Sequence, residues 1–299
     1  MKSSSLNHVY RIVWNAALGV WQTASEVTTS RGKSKSSKQQ RLARRQAAAL
    51  AALGALGGLG ALPGMTFAAG LPTGGVVVGG QATINQSGNA LNIVQGSDKA
   101  AIDWQSFSIG TGKSVNFQQP SVSSVALNRV LGNDVSVIQG AINANGQVFL
   151  VNQNGVLFTP TAQVNVGGIV ASTQNISTED FMAGKYQFSG SSTATVENQG
   201  SINAAAGGYV ALIAAKIVNS GNLVADQGTV GLAAGKTVLV DLGGPVKIQV
   251  TEGALNTAIA QSGGIRADGG LVYLTAKAAG DLASSVINHT GVTLSLIHI

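Results

Sequence analysis

Few side chains in this sequence could do chemistry. Histidine occurs three times: His8 lies near the start, and His289 and His298 lie near the end, away from any cluster of charge. There is no cysteine, which excludes a disulfide frame, a thiol nucleophile and a thiolate metal site. H-E-x-x-H, a phosphate-binding loop, G-x-S-x-G and the G-G-x-G-x-D repeat of calcium-binding rolls are all absent, so no catalytic, cofactor or metal residue is assigned. The best carboxylate candidates are Asp226 and Asp268, which recur at equivalent positions of an internal repeat. Paired carboxylates could serve glycoside hydrolysis. Repetition of a turn residue explains them as well.

Charge divides the 299 residues unevenly. Residues 1–69 carry nine Lys/Arg and one acid, Glu26, while residues 70–299 carry nine Lys/Arg and eleven Asp/Glu. The net charge of +6 therefore belongs to the first segment, and the rest makes no case for nucleic acid. Lys33, Lys35, Lys38, Arg41, Arg44 and Arg45 precede an uncharged apolar run, Ala47–Leu62. That run is short of the roughly 20 residues a spanning helix needs. Pro63 and Gly64 break it, and Thr66-Phe67-Ala68-Ala69 offers small residues to a signal peptidase. The order is that of a secretory signal. We expect a leader over 1–69, cleaved after Ala68 or Ala69, and a second domain over 70–299.

The elements that must position any site are short extended runs. Gly75–Val78, Ala90–Val94, Ser114–Phe117, Val135–Ile138, Gln147–Val151 and Thr237–Leu242 are separated by Gly, Asn, Asp and Ser, with no long helical period among them. A repeat aligns Ile142, Ile202, Leu223 and Ile265, each followed by a second run: Val148/Leu150, Val210/Leu212, Val230/Leu232 and Val272/Leu274. The gaps of 60, 21 and 42 read as three, one and two units of about 21 residues. Such a unit suits one coil of a parallel β-helix, with both aliphatic sets inside and Phe149, Ala211, Gly231 and Tyr273 outside. Gly and Asn would take the corners because they tolerate positive φ. At most about 11 coils, roughly 50 Å, would fit. Residues 70–90 are expected to cap the first coil, and the polar break at 174–191 to leave the stack as a hairpin or loop. A β-sandwich or up-and-down barrel also uses many short strands but needs no whole repeating units.

The opening stretch, MKSSSLNHVYRIVWNAALGVWQTASE, resembles the extended signal-peptide region of very large Gram-negative exported proteins. Further on, Gly70 through Ile84, Ile102 through Gly110, Val115-Asn116-Phe117, Ala126 through Val130 and above all Ile142 through Ala171 resemble the filamentous-haemagglutinin-like two-partner-secretion exoproteins. The matches run from the start to about residue 240. The resemblance implies an all-β fold, a single-stranded right-handed parallel β-helix with an N-terminal cap and an extra-helical hairpin or loop. It implies passage through the general secretion machinery. It then implies recognition by a partner outer-membrane transporter barrel with periplasmic polypeptide-transport-associated domains. The destination would be the cell surface or extracellular space of a Gram-negative bacterium, facing a host or neighbouring cell. The function implied is the N-terminal secretion domain of a large surface adhesin or haemagglutinin, templating the coils that follow it. The alternatives are a β-helical polysaccharide-acting enzyme and the delivery stalk of a contact-dependent growth-inhibition toxin.

Matched motifs nominate Asn128, Arg129, Asn152, Asn154, Gly155 and Asn165 for partner recognition or for shaping its surface. The amides could equally serve as structural ladder and corner groups. Two departures are local. Gln153 stands where the family motif has Pro, which leaves the turn without a preset φ. Thr159 follows Phe158 where the family tends to have Gly. The final Leu294-Ser295-Leu296-Ile297-His298-Ile299 breaks the Gly/Asn rhythm, and the chain is expected to be part of a longer protein.

Overall fold

The computed structural model describes residues 10–15, 20–25, 70–242, 246–279 and 285–295. The chain forms two compact units, divided at Met65/Thr66. In the first, Tyr10–Asn15 and Val20–Ser25 form an antiparallel pair with Trp14 opposite Trp21. The expected apolar run at 47–62 and the cleavage point after Ala68 or Ala69 lie outside the described residues.

The second unit is a right-handed parallel β-helix with three faces. Parallel pairing on the first runs through Ala90–Gln95, Ser114–Gln118, Ala141–Ala144, the first half of Gln163–Ser172, the first half of Ser201–Ala214, Asn222–Val224, Gly264–Arg266 and Val292–Leu294. The second runs through Lys99–Trp104, Val125–Val130, Gln147–Val151, the remaining halves of the two long strands, Thr229–Ala234 and Leu271–Ala276. Ser136–Ile138, Val156–Phe158, Thr195–Asn198, Lys216–Asn219, Thr257–Gln261 and Ser285–His289 make the third. The cap is where residues 70–90 were expected to put it: Val76–Gly79 and Ala82–Ser87 pair antiparallel with the first strands of two faces and cover their edges.

Aliphatic rows fill the coil. Ile142, Val164, Ile202, Leu223 and Ile265 are in register on successive coils and buried. Val148/Leu150, Ile169/Ala171, Val210/Leu212 and Val230/Leu232 form a second buried row, with Val272/Leu274 packed against it. The expected spacing needs correction. Ile142 and Ile202 are two coils apart, not three, because Val164 lies between them. Leu223 and Ile265 are on adjacent coils, not two apart. The surplus residues leave the stack. One insertion, within 173–194, is the expected break; it holds the helix Thr178–Met182 and the strand Gln187–Ser189. A second insertion was not expected: Thr237–Asp241 and Lys247–Glu252 form a hairpin that joins Gln187–Ser189 in a separate antiparallel sheet. The first face accordingly has eight parallel strands, about 34 Å of stack, within the expected upper bound.

The outward set keeps its expected direction. Phe149 and Ala211 point away from the coil yet are fully buried. The insertions cover this face with a second core: Phe149 meets the rings of Phe181, Tyr186 and Phe188 at 5.8, 5.2 and 5.7 Å. Ile248 packs onto Gly231. Glycine also works differently from expectation at two corners. A Cβ at Gly208, Gly228 or Gly270 would strike the carbonyl of the glycine one coil earlier (Gly167, Gly208 and Gly228), and Gly221, Gly263 and Gly291 repeat the pattern on Gly200, Gly221 and Gly263. None of these is left-handed, so close approach of one coil to the next demands glycine there.

Gly207 differs: its φ is +78° with open space beside it. Gly208→Ala is expected to cost about 3 kcal/mol or more, and Gly207→Ala about 1–2 kcal/mol, in denaturant unfolding. Equal costs would contradict the close-approach account. Burial pushes the Tyr209 hydroxyl well above the ordinary tyrosine value, with Tyr186 adding to the shift. The unfolded chain ionises near pH 10 while the folded one does not, so Tyr209 contributes full stability below about pH 10 and loses it as pH rises further. Tyr209→Phe should flatten the alkaline limb of the unfolding midpoint against pH.

Candidate functional site

The nominated residues fall on two faces. Asn128 and Arg129 occupy one second-face strand, with Arg129 beside Val151 in register. Asn152, Asn154 and Gly155 form the next corner, stacked on the corner at 131–135 of the preceding coil. Asn165 lies apart, on the first face.

Asn128 points into the coil and is fully buried. Its Oδ1 accepts from Trp104 Nε1 at 3.0 Å, and its Nδ2 donates to the carbonyls of Ala126 and Phe149 at 3.3 and 3.4 Å. Arg129 points outward on the same strand. Its Nε and Nη2 donate to the two carboxylate oxygens of Asp103, both at 2.9 Å, a bidentate pair. Nη1 reaches the carbonyl of Ile176 at 3.1 Å and Nη2 the hydroxyl of Thr178 at 3.0 Å. Its guanidinium therefore ties the first insertion to the stack. Asp103 was not singled out from sequence; an acid at the matching outward position one coil before Arg129 was the available signal.

At the corner, Asn152 is fully buried. Its Nδ2 donates to Asp134 O and Ser136 Oγ, both at 2.9 Å, and its Oδ1 accepts from Asn154 N at 2.9 Å. Gly155 N closes the turn on Asn152 O at 3.1 Å, with φ at +120°. An Asn side chain thus does what Pro would do at position 153, and the positive φ falls on Gly155. Exposed Asn154 donates to Gly132 O at 2.8 Å. Leu131 and Val135 are 62% and 44% exposed. The Thr159 departure is absorbed as well, since its N and Oγ1 both donate to Ile138 O, at 2.9 and 3.2 Å.

Asn165 belongs to an amide ladder running across the outer side of the first face. Asn116 donates to Asn92 at 3.0 Å, Asn143 to Asn116 at 2.9 Å, Asn165 to Asn143 at 3.5 Å and Asn203 to Asn165 at 3.2 Å. The sequence signal is an aliphatic residue followed by Asn at five successive inner-row positions: Leu91-Asn92, Val115-Asn116, Ile142-Asn143, Val164-Asn165 and Ile202-Asn203. A second, buried ladder links Asn198, Asn219 and Gln261 at 2.7 and 2.8 Å.

The carboxylates do not form an acid/base pair. Asp226 and Asp268 are one coil apart, not two, and Arg266 grips Asp226 through Nε and Nη2 at 3.0 and 2.8 Å. Among the described residues no group of three or more His, Asp or Glu is placed to hold a metal ion.

Residues 68–295 match the TPS secretion domain, and residues 7–55 match the extended signal peptide of the type V secretion system. A 115-residue segment, 38% of this chain, is 46% identical to a heme/hemopexin-binding protein of Haemophilus influenzae, but covers only 13% of that protein's length. The HMW1 secretion domain from Haemophilus influenzae superposes with a TM-score of 0.57 at 31% identity, over 72% of this chain and 62% of that one. A filamentous hemagglutinin secretion domain is more distant, with a TM-score of 0.47 and 15% identity over 75% of this chain and 99% of that one. An extended signal peptide joined to such a domain is the arrangement of a chain exported across the Gram-negative envelope to the cell surface or extracellular space. With its signal and its coil both matched, this chain belongs to the TPS secretion domain family, a family of non-enzymatic secretion domains.

Proposed function

We propose that residues 1–69 are the cleaved leader, and that residues 70–299 are the N-terminal secretion domain of a large surface adhesin. Family membership implies pairing with an outer-membrane transporter. The finer reading is that the periplasmic polypeptide-transport-associated domains of that partner dock at the corner formed by residues 131–135 and 152–155, and that the folded coil then templates later ones.

The closed first edge and the register kept from coil to coil support the templating role. At the first coil, antiparallel strands close the edge. At the last described coil, Val272, Leu274 and Ala276 are only partly buried, and Val292 is 62% exposed. In-register pairing from coil to coil lets each folded coil serve as the pairing surface for the one that follows.

At the corner, the nominated residues divide by access. Asn128, Asn152 and Arg129 spend their donors within the domain, so they shape the surface. Asn154, with Leu131 and Val135 beside it, is what a partner can touch. Asn165 braces the first face and takes no part in docking.

Capture of residues 70–299 by the periplasmic segment of the cognate transporter tests this division. Asn154→Ala combined with Val135→Asp should weaken capture about tenfold or more with the unfolding midpoint unchanged. Arg129→Ala should lower export and also stability, by about 1–3 kcal/mol, because partly buried Asp103 loses its cation and the first insertion loses its ties to the stack. Unchanged capture by the double variant would remove the corner as the docking surface.

A further inference from the structure

The second core lies outside the coil, and most of what covers it comes from late in the chain. Ala101, Leu127, Phe149 and Val170 sit on the first four second-face strands and are fully buried although they point outward. Val125 and Val151 of the same strands join them in this core. Their cover is Ile176, Phe181, Tyr186 and Phe188 of the first insertion. Polar groups of the early coils are completed from the same place. Lys99 Nζ donates to Met182 O at 3.0 Å and lies 5.7 Å from the centre of the Tyr186 ring, while Arg129 reaches Ile176 O and Thr178 Oγ1.

The first insertion holds itself together by little more than one antiparallel bridge, Asn175 with Ser189. Its helix has five residues and its strand three. Ser177 caps the helix, accepting from Asp180 N at 3.0 Å, but one turn is far below the length at which an isolated helix persists. The strand Gln187–Ser189 is completed by pairing with Thr237–Asp241, which in turn pairs with Lys247–Glu252. Val238, Val240, Ile248 and Val250 of this hairpin carry the second core onward over Ala211, Ile213 and Ala233. The chain of support runs backwards: the second insertion holds the first, and the first closes the outer face of the earliest coils.

We infer that this outer core is a folding latch: the first coils do not reach native protection until the chain through Glu252 is available, and the domain folds as one unit instead of coil by coil. Pairing between neighbouring coils is local and could proceed in order from the cap. Burial of Leu127 and Phe149, and the completion of Lys99 and Arg129, cannot proceed that way. In a chain emerging N-terminus first, which rests on the secretion role proposed above, the early coils stay unlatched until both insertions have emerged. The latch itself is a property of the chain alone.

Pulse-labelled amide exchange during refolding of residues 70–299, a compact unit containing every contact named here, tests it. The amides of Val125–Val130 and Gln147–Val151 should gain protection in the same kinetic phase as those of Gln187–Ser189 and Thr237–Asp241. Protection of the early strands in a separate, faster phase would overturn the inference. At equilibrium, Phe188→Ala should speed exchange on Val125–Val130 and Gln147–Val151 by about tenfold or more, whereas Leu255→Ala, at an exposed position, should not. Unchanged exchange in Phe188→Ala would also overturn it. Both readouts are free of any transporter, so failure of the docking corner and failure of the latch are told apart.

Discussion

In-register stacking of like side chains between successive coils underlies the rest of the structure. A single coil has a thin interior and cannot bury an aliphatic row by itself. It does so only when Ile142 lies under Val164, Val164 under Ile202, and Leu223 under Ile265. Backbone pairing and side-chain burial then impose one requirement along the same axis. The glycine corners follow from it, since coils this close leave no room for a Cβ against the carbonyl of the preceding coil. So does the need for a cap, because the first coil has no predecessor to pair with.

The rows themselves were legible. Periodicity of two within each strand, repeated after a fixed interval, placed Val210 and Leu212 inside, and a residue of each row can be read from its neighbours. The coil count was not legible, because a gap of 42 residues between Leu223 and Ile265 fits two plain coils as well as one coil with an insertion. Thr237–Leu242 has the alternation of a strand, and it is one, but local pattern carries no information on which sheet a strand joins. The same limit hid the second core. Phe149 alternates correctly to point outward, and only the distant Phe181, Tyr186 and Phe188 decide that outward is not exposed.

Among the nominated residues, residue type and motif picked out real structural anchors but not their division of labour. Arg129 looked like a surface contact because arginine is suited to one. Its partner Asp103 lies 26 residues away in sequence and one coil away in space, and the pair serves the insertion. Asn152 and Asn154 share a motif, yet one is sealed beneath the turn and the other stands outside it. Sequence spacing sees the turn; it does not see which amide the next coil covers.

The asparagine ladder on the first face has a consequence for errors of assembly. Each of its inner members gives one proton back to the preceding coil and takes one from the coil that follows, so all five amides mesh together or lose their partners together. Sliding one strand by a single residue would swing its Asn inward and its aliphatic neighbour into water. The face therefore works as a vernier, coarse in its hydrophobic marks and fine in its amide marks, and a misaligned coil fails both scales at once.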